Sequence, residues 1–140
     1  MGGDARYISH GEIQGGLSDD GVTWRRDLES RFVEDLRDPG DETGLLVARG
    51  ADGTLVGAAI VEWTIGRRTR FATLADLSIE PAQRSSGLGA RMVAEIDREA
   101  RRRGMQWIFL ESGKDNCRAH AFFERQAFHE ISHVFGKALT

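Results

Sequence analysis

The sequence has 140 residues and a formal net charge of −3, a length that fits one domain with a single hydrophobic core. Its 40% hydrophobic and 29% charged residues are typical of a globular protein and exclude a disordered chain. The 19 basic residues do not exceed the 22 acidic ones, so we expect neither nucleic acid nor a membrane surface as a partner. The 17 glycines are nearly twice the usual share of about 7% and require an explanation by position.

Cysteine and histidine usage restricts the chemistry further. Cys117 is the only cysteine, which excludes an internal disulfide framework and a structural zinc site built on several thiolates. The histidines at positions 10, 129 and 133 have no spacing typical of a metal site, so we expect no metal. The longest apolar run, residues 55–61, is about a third of a membrane span, and residues 1–6 lack the apolar core of a signal peptide. We therefore expect a soluble cytoplasmic protein.

In chain order, the first 80 residues of the sequence predict one helix and four strands. Residues 1–20 are loop-like around a short strand at 5–9, and residues 24–36 have the apolar spacing of an amphipathic helix that begins after Thr23. Strands at 44–49 and 54–65 form an antiparallel pair, because Asp52 and Gly53 between them are residues that hairpin turns favour. A further strand is predicted at 69–80 and ends at Pro81.

The second half predicts a parallel unit followed by a short helix and a strand. Apolar residues from Leu88 to Ala100 lie on one face of a helix, which Gly104 ends in the left-handed conformation. A strand at 106–111 follows, and a strand, a crossover helix and a strand in this order form a parallel βαβ unit. A helix at 116–125 and a strand at 128–139 complete a single α+β domain over residues 1–140.

The segment Arg84-Ser85-Ser86-Gly87-Leu88-Gly89-Ala90 joins the predicted strand to the predicted crossover helix. At a helix start the backbone N–H groups lack internal acceptors and carry partial positive charge, so an anion is favoured there. Gly87 and Gly89 leave space for a phosphate against these amides. Ser85 and Ser86 can cap the helix or donate to phosphate oxygens, and Arg84 can add a charge-assisted bond. This turn is the strongest candidate for a phosphate site.

Spacing separates the known phosphate-binding turns. A P-loop requires lysine and serine or threonine after its last glycine, whereas Gly89 is followed by Ala90 and Arg91. The dinucleotide fingerprint requires a small residue where this chain has Met92. Both are therefore excluded. The remaining structural alternative is that the two glycines only permit a tight turn and close helix packing.

Two segments of the chain resemble the GNAT superfamily of acyl-CoA N-acyltransferases. Residues 77–89 are similar to the family signature Gln/Arg-x-x-Gly-x-Gly/Ala at the end of a central strand. Residues 116–128 are similar to the family segment Asn-x-x-Ala-x-x-Phe-Tyr-Glu-Lys-x-Gly-Phe. The resemblance covers residues 44–139 well and residues 1–40 poorly. It implies a mixed, mostly antiparallel central sheet with a parallel βαβ unit and flanking helices.

The resemblance also implies acetyl-CoA as co-substrate. The pyrophosphate would bind the amides of residues 84–90, and the backbone of residues 77–79 would bind the pantetheine arm like an added strand. Asn116 would reach the same arm, while three residues of its helix would line the wall near the thioester. Phe122 can instead belong to the core, and Asn116 can be only a helix cap. The residues so assigned are Leu77, Ser78, Ile79, Arg84, Ser85, Ser86, Gly87, Leu88, Gly89, Ala90, Asn116, Ala119, Phe122 and Phe123.

Amine acetylation requires a proton acceptor, because an amine attacks a thioester only when it is unprotonated. Many relatives carry a glutamate on the strand before the turn, where this chain has Thr73 and Ala75. We predict Asp76 as the proton acceptor, since it follows a largely apolar run and lies near the expected thioester. Glu62 and Glu111 are the alternatives, either through a water molecule or as binders of a cationic substrate.

Other parts of the catalytic machinery differ from the family pattern. The oxyanion would be met by a backbone N–H near Ile79, as the resemblance implies. Phe123 stands where the family often has a tyrosine that acts as general acid, although a coenzyme thiolate with a pKa of about 8.5 can leave without one. Cys117 and His120 also permit a mechanism with a covalent acetyl-cysteine intermediate, which the family pattern of direct transfer disfavours.

The sequence therefore predicts an acetyl-CoA-dependent N-acetyltransferase that acts on a primary amine, with a small cationic molecule favoured by the acids above. The alternatives are a non-catalytic acyl-CoA-binding or regulatory module and a protein or peptide N-acetyltransferase. A nucleic-acid binder that uses the arginines at 67, 68, 70 and 101–103 is disfavoured by the overall charge and by the lack of interleaved aromatic residues. A homodimer is compatible with the sequence.

Overall fold

The computed structural model of the chain describes residues 42–139. The strand predicted at 5–9 and the helix predicted at 24–36 lie outside the described residues. The described chain divides into two compact units, one containing residues 42–110 and the other residues 111–139.

The first unit is built on a four-stranded sheet whose strands follow chain order. Its strands are β1 (Thr43–Arg49), β2 (Leu55–Ile65), β3 (Arg70–Ile79) and β4 (Trp107–Leu110). The pairs β1–β2 and β2–β3 are antiparallel, and β3–β4 is parallel. Gly53 has a φ of +84° in the β1–β2 turn, as expected, because glycine adopts the left-handed conformation without a steric penalty. The predicted mixed α+β fold with one parallel βαβ unit is confirmed.

The crossover helix α1 (Leu88–Arg102) packs its apolar stripe on one face of this sheet. Gly57 of β2 lies so close to the helix that a Cβ at that position would come within 2.8 Å of the Met92 Sδ. The odd-numbered residues from 57 to 63 of β2 therefore face α1, because side chains alternate along a strand. The buried apolar core of this unit comprises Ala59, Val61, Trp63, Ala72, Leu74, Leu88, Met92, Val93, Ile96 and Ala100.

The helix ends as its sequence predicts. Gly104 has a φ of +71°, its N–H donates to the Arg101 carbonyl oxygen, and the Met105 N–H donates to the Ala100 carbonyl oxygen, which is the Schellman arrangement. On the outer face Arg102 and Arg103 both donate to Glu99 and lower the pKa of its carboxyl to about 2. The arginines near this end of α1 therefore have acidic partners on the helix itself.

The second unit contains the helix α2 (Cys117–Arg125). Its end is also a Schellman arrangement, since the Phe128 N–H donates to the Phe123 carbonyl oxygen and the Ala127 N–H to that of Glu124. The Phe123 and Phe128 rings pack edge to face with centroids 5.7 Å apart. Ala127 occupies the left-handed position with a φ of +68°, where the family segment has glycine.

Replacing Ala127 by glycine should stabilise the protein. A non-glycine residue in the left-handed region costs about 1 kcal/mol, so we expect Ala127→Gly to raise the free energy of unfolding by about 0.5–1 kcal/mol. Ala121→Gly, at an exposed position inside the same helix, should lower it by a similar amount. Urea denaturation of the two variants measures both shifts, and equal signs would contradict the assignment of Ala127 as a strained cap.

The strand predicted at 128–139 is wrong, because the structure has no strand in this segment. Its alternating apolar residues suit a strand, but a strand also needs a neighbour for its backbone hydrogen bonds and for one side-chain face. Ile131 is 60% exposed and Phe135 is 94% exposed. No described strand pairs with the segment, so the local pattern does not become a strand.

Residues 42–139 contain neither a candidate membrane-spanning helix nor a candidate metal-binding cluster. No helix in this part of the chain is long and apolar enough to cross a membrane. No group of three or more histidine, cysteine or acidic residues in the same part is placed to hold a metal ion.

Candidate functional site

The turn between β3 and α1 is exposed and holds two residues in the left-handed conformation. A short 3₁₀ helix (Pro81–Gln83) leads into it, and Ser85 and Gly87 then have φ values of +67° and +84°. Ser85 is strained there because it carries a Cβ. In such a turn, successive backbone N–H groups can point towards one side and form a concave site for anions.

The hydrogen bonds of the turn show which amides are available. The N–H of Arg84 donates to the Pro81 carbonyl oxygen at 3.3 Å, and that of Ser86 donates to Gln83 at 3.3 Å. The Ser86 hydroxyl also donates to the Gln83 carbonyl oxygen. The N–H groups of Gly87, Leu88, Gly89 and Ala90 have no acceptor among the described residues. The available amides are therefore those at the start of α1.

Charge at the start of α1 favours an anion. Gly87 is the N-cap residue, no side chain caps the helix, and its first turn contains no acidic residue. Of the two roles predicted for Ser85 and Ser86, capping of α1 is therefore wrong, and the Ser86 hydroxyl instead donates to the Gln83 carbonyl oxygen. Arg84 and Arg91 are exposed beside these amides, and neither forms an ion pair within the described part of the chain. The helix dipole is therefore not offset by an acidic residue at this terminus, and two exposed arginines lie close to it in the sequence.

β3 contains a bulge that changes which way its last residues face. Val61 pairs with Leu74, whereas the preceding Ile60 pairs with Asp76, so Ala75 is an extra residue in β3. Without the bulge Asp76 would lie on the α1 face of the sheet with Leu74. The extra residue reverses the alternation, and Asp76 lies on the face opposite to α1, with Leu77 returned to the α1 face.

The bulge also marks the place where β3 stops pairing with β4. Pairing with β4 ends at Leu74 and Leu110, while β3 continues to Ile79 on its β2 side. The β4-side edge over residues 75–79 has no strand partner among the described residues. Leu77, Ser78 and Ile79 are half-buried on this edge. An extended ligand with amide groups can pair with such an edge as an added strand does.

Two of the predicted carboxylates share a face of the sheet. Glu62 pairs with Thr73, and Ile60, two residues away on β2, pairs with Asp76. Both carboxylates therefore lie on the face opposite to α1, Glu62 exposed and Asp76 half-buried. The third candidate, Glu111, is exposed and belongs to the second unit.

The site residues predicted in the second unit are Asn116 and residues of the helix that follows it. Asn116 is only 9% exposed, and its Oδ1 accepts a hydrogen bond from the Ala119 N–H at 3.2 Å. It is thus the N-cap of α2, while its Nδ2 amide donates to no described residue. Both readings of Asn116 are compatible, because the cap uses the oxygen and leaves the amide for a ligand.

The remaining wall residues of α2 form an aromatic cluster. Phe122 and Phe123 are half-buried and pack edge to face with centroids 5.1 Å apart. Ala119, also half-buried, lies one turn before them. Cys117, at the start of the helix, is exposed and has no hydrogen bond to His120 within the described residues, so the covalent reading gains no support.

A separate cleft of about 380 Å³ lies between α1 and the first two strands. Trp63 and Arg103 line it, with the guanidinium carbon 4.4 Å from the centroid of the indole ring. None of the residues predicted for the site lines this cleft. The residues of this unit that are predicted to bind acyl-CoA lie instead at the end of β3 and the start of α1.

Comparison with protein families identifies the family of this chain. The model of the acetyltransferase (GNAT) family matches residues 14–128 of the sequence. The chain belongs to the GNAT family. A search of curated protein sequences found no match.

Solved structures similar to this GNAT chain confirm the fold. A mutant protein from Bacillus halodurans has a TM-score of 0.72 and 16% identity, covering 94% of this chain and 89% of that one. An aminoglycoside antibiotic 6′-N-acetyltransferase from Acinetobacter baumannii has a TM-score of 0.66 and 18% identity, covering 96% and 97%. A ribosomal-protein-alanine N-acetyltransferase from Brucella melitensis has a TM-score of 0.66 and 18% identity, covering 82% of each chain.

Sequence reasoning missed two features of the site. The bulge at Ala75 has no signal in a single sequence, because Ala75 is neither glycine nor a residue that needs a special conformation. The other is the bond from the His120 ring to the Gly113 carbonyl oxygen. Its only signal was the position of His120 four residues after Asn116, which places both on one side of the helix.

Proposed function

We propose that this GNAT protein transfers the acetyl group of acetyl-CoA directly to a primary amine of a small cationic molecule. The observation that carries the proposal is the bulged end of β3. At that end one strand has an open edge for the pantetheine arm, leads into the glycine turn for the pyrophosphate, and carries the carboxylate of Asp76.

Acetyl-CoA would bind mainly through backbone groups. The free amides of residues 87–90 donate to pyrophosphate oxygens, and the guanidinium groups of Arg84 and Arg91 neutralise part of the phosphate charge. The amides of the pantetheine arm pair with the backbone of residues 77–79 along the open edge of β3.

The acetyl transfer needs one proton acceptor and one oxyanion donor. The Asp76 carboxylate takes the proton of the ammonium, directly or through a water molecule, and the neutral nitrogen attacks the thioester carbon. A backbone N–H near Ile79 stabilises the oxyanion. The carbon–sulfur bond then breaks, the nitrogen releases its second proton to water, and the coenzyme leaves as a thiolate that takes a proton from water. Phe123 supplies no proton, and a thiol with a pKa of about 8.5 does not require one.

The charge on the face of the sheet opposite to α1 favours a cationic acceptor. Glu62 and Asp76 both lie on that face, and carboxylates attract and orient an ammonium group. One structural neighbour is named as acting on an aminoglycoside antibiotic and another on the alanine of a ribosomal protein. Small amines and peptide amino termini are therefore the two acceptor classes to compare.

A second candidate function is a non-catalytic acyl-CoA-binding module. It is favoured by Phe123, which stands at the position where the family often has a tyrosine, and by Thr73 and Ala75, which stand where many relatives have a glutamate. Such a module would bind the coenzyme through the glycine turn and the open β3 edge but would not transfer its acyl group.

Thiol release decides between these functions. The protein is incubated with acetyl-CoA and with a polyamine, an aminoglycoside or a peptide that has a free amino terminus, and the coenzyme thiol is followed with a chromogenic disulfide. We expect release with the small cationic amines. Release with the peptide alone would indicate a peptide N-acetyltransferase. Thermal stabilisation by coenzyme A without release for any amine would indicate the binding module, and neither effect would contradict both proposals.

A further inference from the structure

The cleft between α1 and the first two strands has a volume of about 380 Å³ and no role in the proposed acetyl transfer. All of its described lining residues belong to the first unit. They come from residues 44–46 of β1, from residues 61 and 63 of β2, and from residues 95–103 at the end of α1. The glycine turn lies at the other end of α1, so a ligand in this cleft would be separate from the proposed co-substrate.

The indole of Trp63 places a polar group without a partner in the wall of this cleft. Trp63 is 8% exposed, and its Nε1–H is buried with no acceptor in the described part of the chain. Gly44 also lines the cleft and leaves room for the edge of the ring, since a Cβ there would lie 3.0 Å from Nε1. A buried donor without an acceptor is rare in folded proteins, and an acceptor on a ligand would complete its hydrogen bonding.

The guanidinium of Arg103 provides further donors beside the same indole. Its carbon lies 4.4 Å from the ring centroid, and its Nε donates to Glu99 at 2.8 Å. Its two Nη groups donate to no residue in the described part of the chain. The unpaired donors of Trp63 and Arg103 therefore lie close together, and the two oxygens of a carboxylate can accept from both.

The charge around the cleft also favours one anionic group. The charged residues described in its lining are three arginines and two glutamates, which leaves one positive charge. Arg98 pairs with Glu95, whereas Arg102 and Arg103 share Glu99. The unbalanced charge is therefore in the group that includes Arg103, beside Trp63.

The rest of the lining suits a hydrocarbon body. Val61 and Ile96 are buried and Leu46 is half-buried, and all three line the cleft. A volume of about 380 Å³ is at the small end of the range for ligand pockets, which suits a molecule of about ten non-hydrogen atoms.

We propose that this cleft binds a small monocarboxylic acid with an apolar body, whose carboxylate accepts hydrogen bonds from the Trp63 Nε1–H and the Arg103 guanidinium. The body of the acid packs against Leu46, Val61 and Ile96. The site goes beyond the proposed acetyl transfer and does not depend on it, because no residue assigned to acetyl-CoA lines the cleft.

The test titrates ¹⁵N-labelled protein with three probes that share one ring, namely benzoate, benzyl alcohol and benzylamine, which are anionic, neutral and cationic at neutral pH. The indole N–H resonance of Trp63 is followed by NMR, and it is identified by elimination with Trp24→Phe and Trp107→Phe, since the chain has 3 tryptophans. We expect benzoate to shift this resonance saturably, with a dissociation constant of about 1 mM. The other two probes should bind about tenfold more weakly, because they lack the charge-assisted hydrogen bonds.

Two arginines near the end of α1 provide a matched pair of variants. Arg103→Gln removes the charge beside Trp63, whereas Arg101→Gln makes the same change at a residue that pairs with Asp97 and is not part of the lining. Both arginines are exposed, so both variants should fold. We expect Arg103→Gln to weaken benzoate binding about fivefold to tenfold and Arg101→Gln to bind benzoate as the wild type does.

Three results would overturn the inference. An unmoved Trp63 resonance at a benzoate concentration about tenfold above the expected dissociation constant would show that no carboxylate binds beside the indole. Equal binding of the three probes would show an apolar cleft without preference for a carboxylate. Equal weakening in the two arginine variants would show a general effect of protein charge in place of a contact with Arg103.

Discussion

Replacing Gly87 by alanine should weaken coenzyme A binding about 10-fold to 100-fold, as expected for the loss of one or two charge-assisted hydrogen bonds. Gly87 has a φ of +84° and a Cβ there would meet no atom within 4 Å. The methyl group would instead lie at the start of α1, beside the free amides that we assign to the pyrophosphate. The added Cβ would keep a phosphate away from these amides, and calorimetric titration with coenzyme A measures the loss.

The chain offers a matched control at the other end of the same helix. Gly104 has a φ of +71° and equally open surroundings, so Gly104→Ala imposes a similar backbone strain of about 1 kcal/mol. Both variants should therefore lose similar thermal stability, and only Gly87→Ala should lose affinity for coenzyme A. If the two variants bind coenzyme A equally well, the turn is not the phosphate site.

Asp76→Asn should lower kcat for acetyl transfer by about 100-fold or more, because general base catalysis contributes about 10²–10⁴-fold. Asparagine has nearly the same shape as aspartate but cannot take the proton of the ammonium. The KM for acetyl-CoA should change little, since we assign coenzyme binding to the backbone of β3 and the glycine turn. Steady-state kinetics over a range of pH should also show the residual rate rising with pH, as the free amine becomes available without a base.

Glu62→Gln is the control for this variant, since Glu62 lies on the same face of the sheet. We expect it to raise the KM for a cationic amine and to leave kcat within a few fold of the wild-type value. The reason is that the substitution removes a carboxylate that binds the amine and keeps the Asp76 carboxylate that takes the proton. The reverse pattern, with kcat lost in Glu62→Gln and kept in Asp76→Asn, would transfer the role of base to Glu62. Unchanged kinetics in both would leave Glu111 as the remaining candidate.

Local sequence signals determined most secondary structure of the described chain. The apolar period of 3.6 residues from Leu88 and the glycine at 104 gave the crossover helix and its end, because both depend on residues close together in the chain. Gly53 likewise gave the β1–β2 turn. The strand predicted at 128–139 is wrong because a strand needs a pairing partner that is distant in the sequence, which the local pattern does not specify.

The sequence by itself also determined the family, because its two motifs are runs of residues close together in the chain, and it predicted the glycine turn before α1 as a phosphate site. The tertiary structure alone decided the direction of Asp76. The bulge at Ala75 arises from the register between β2 and β3, and it moves the carboxylate from the α1 face to the face that carries Glu62. Register is a property of paired strands, so a single strand's residues do not specify it.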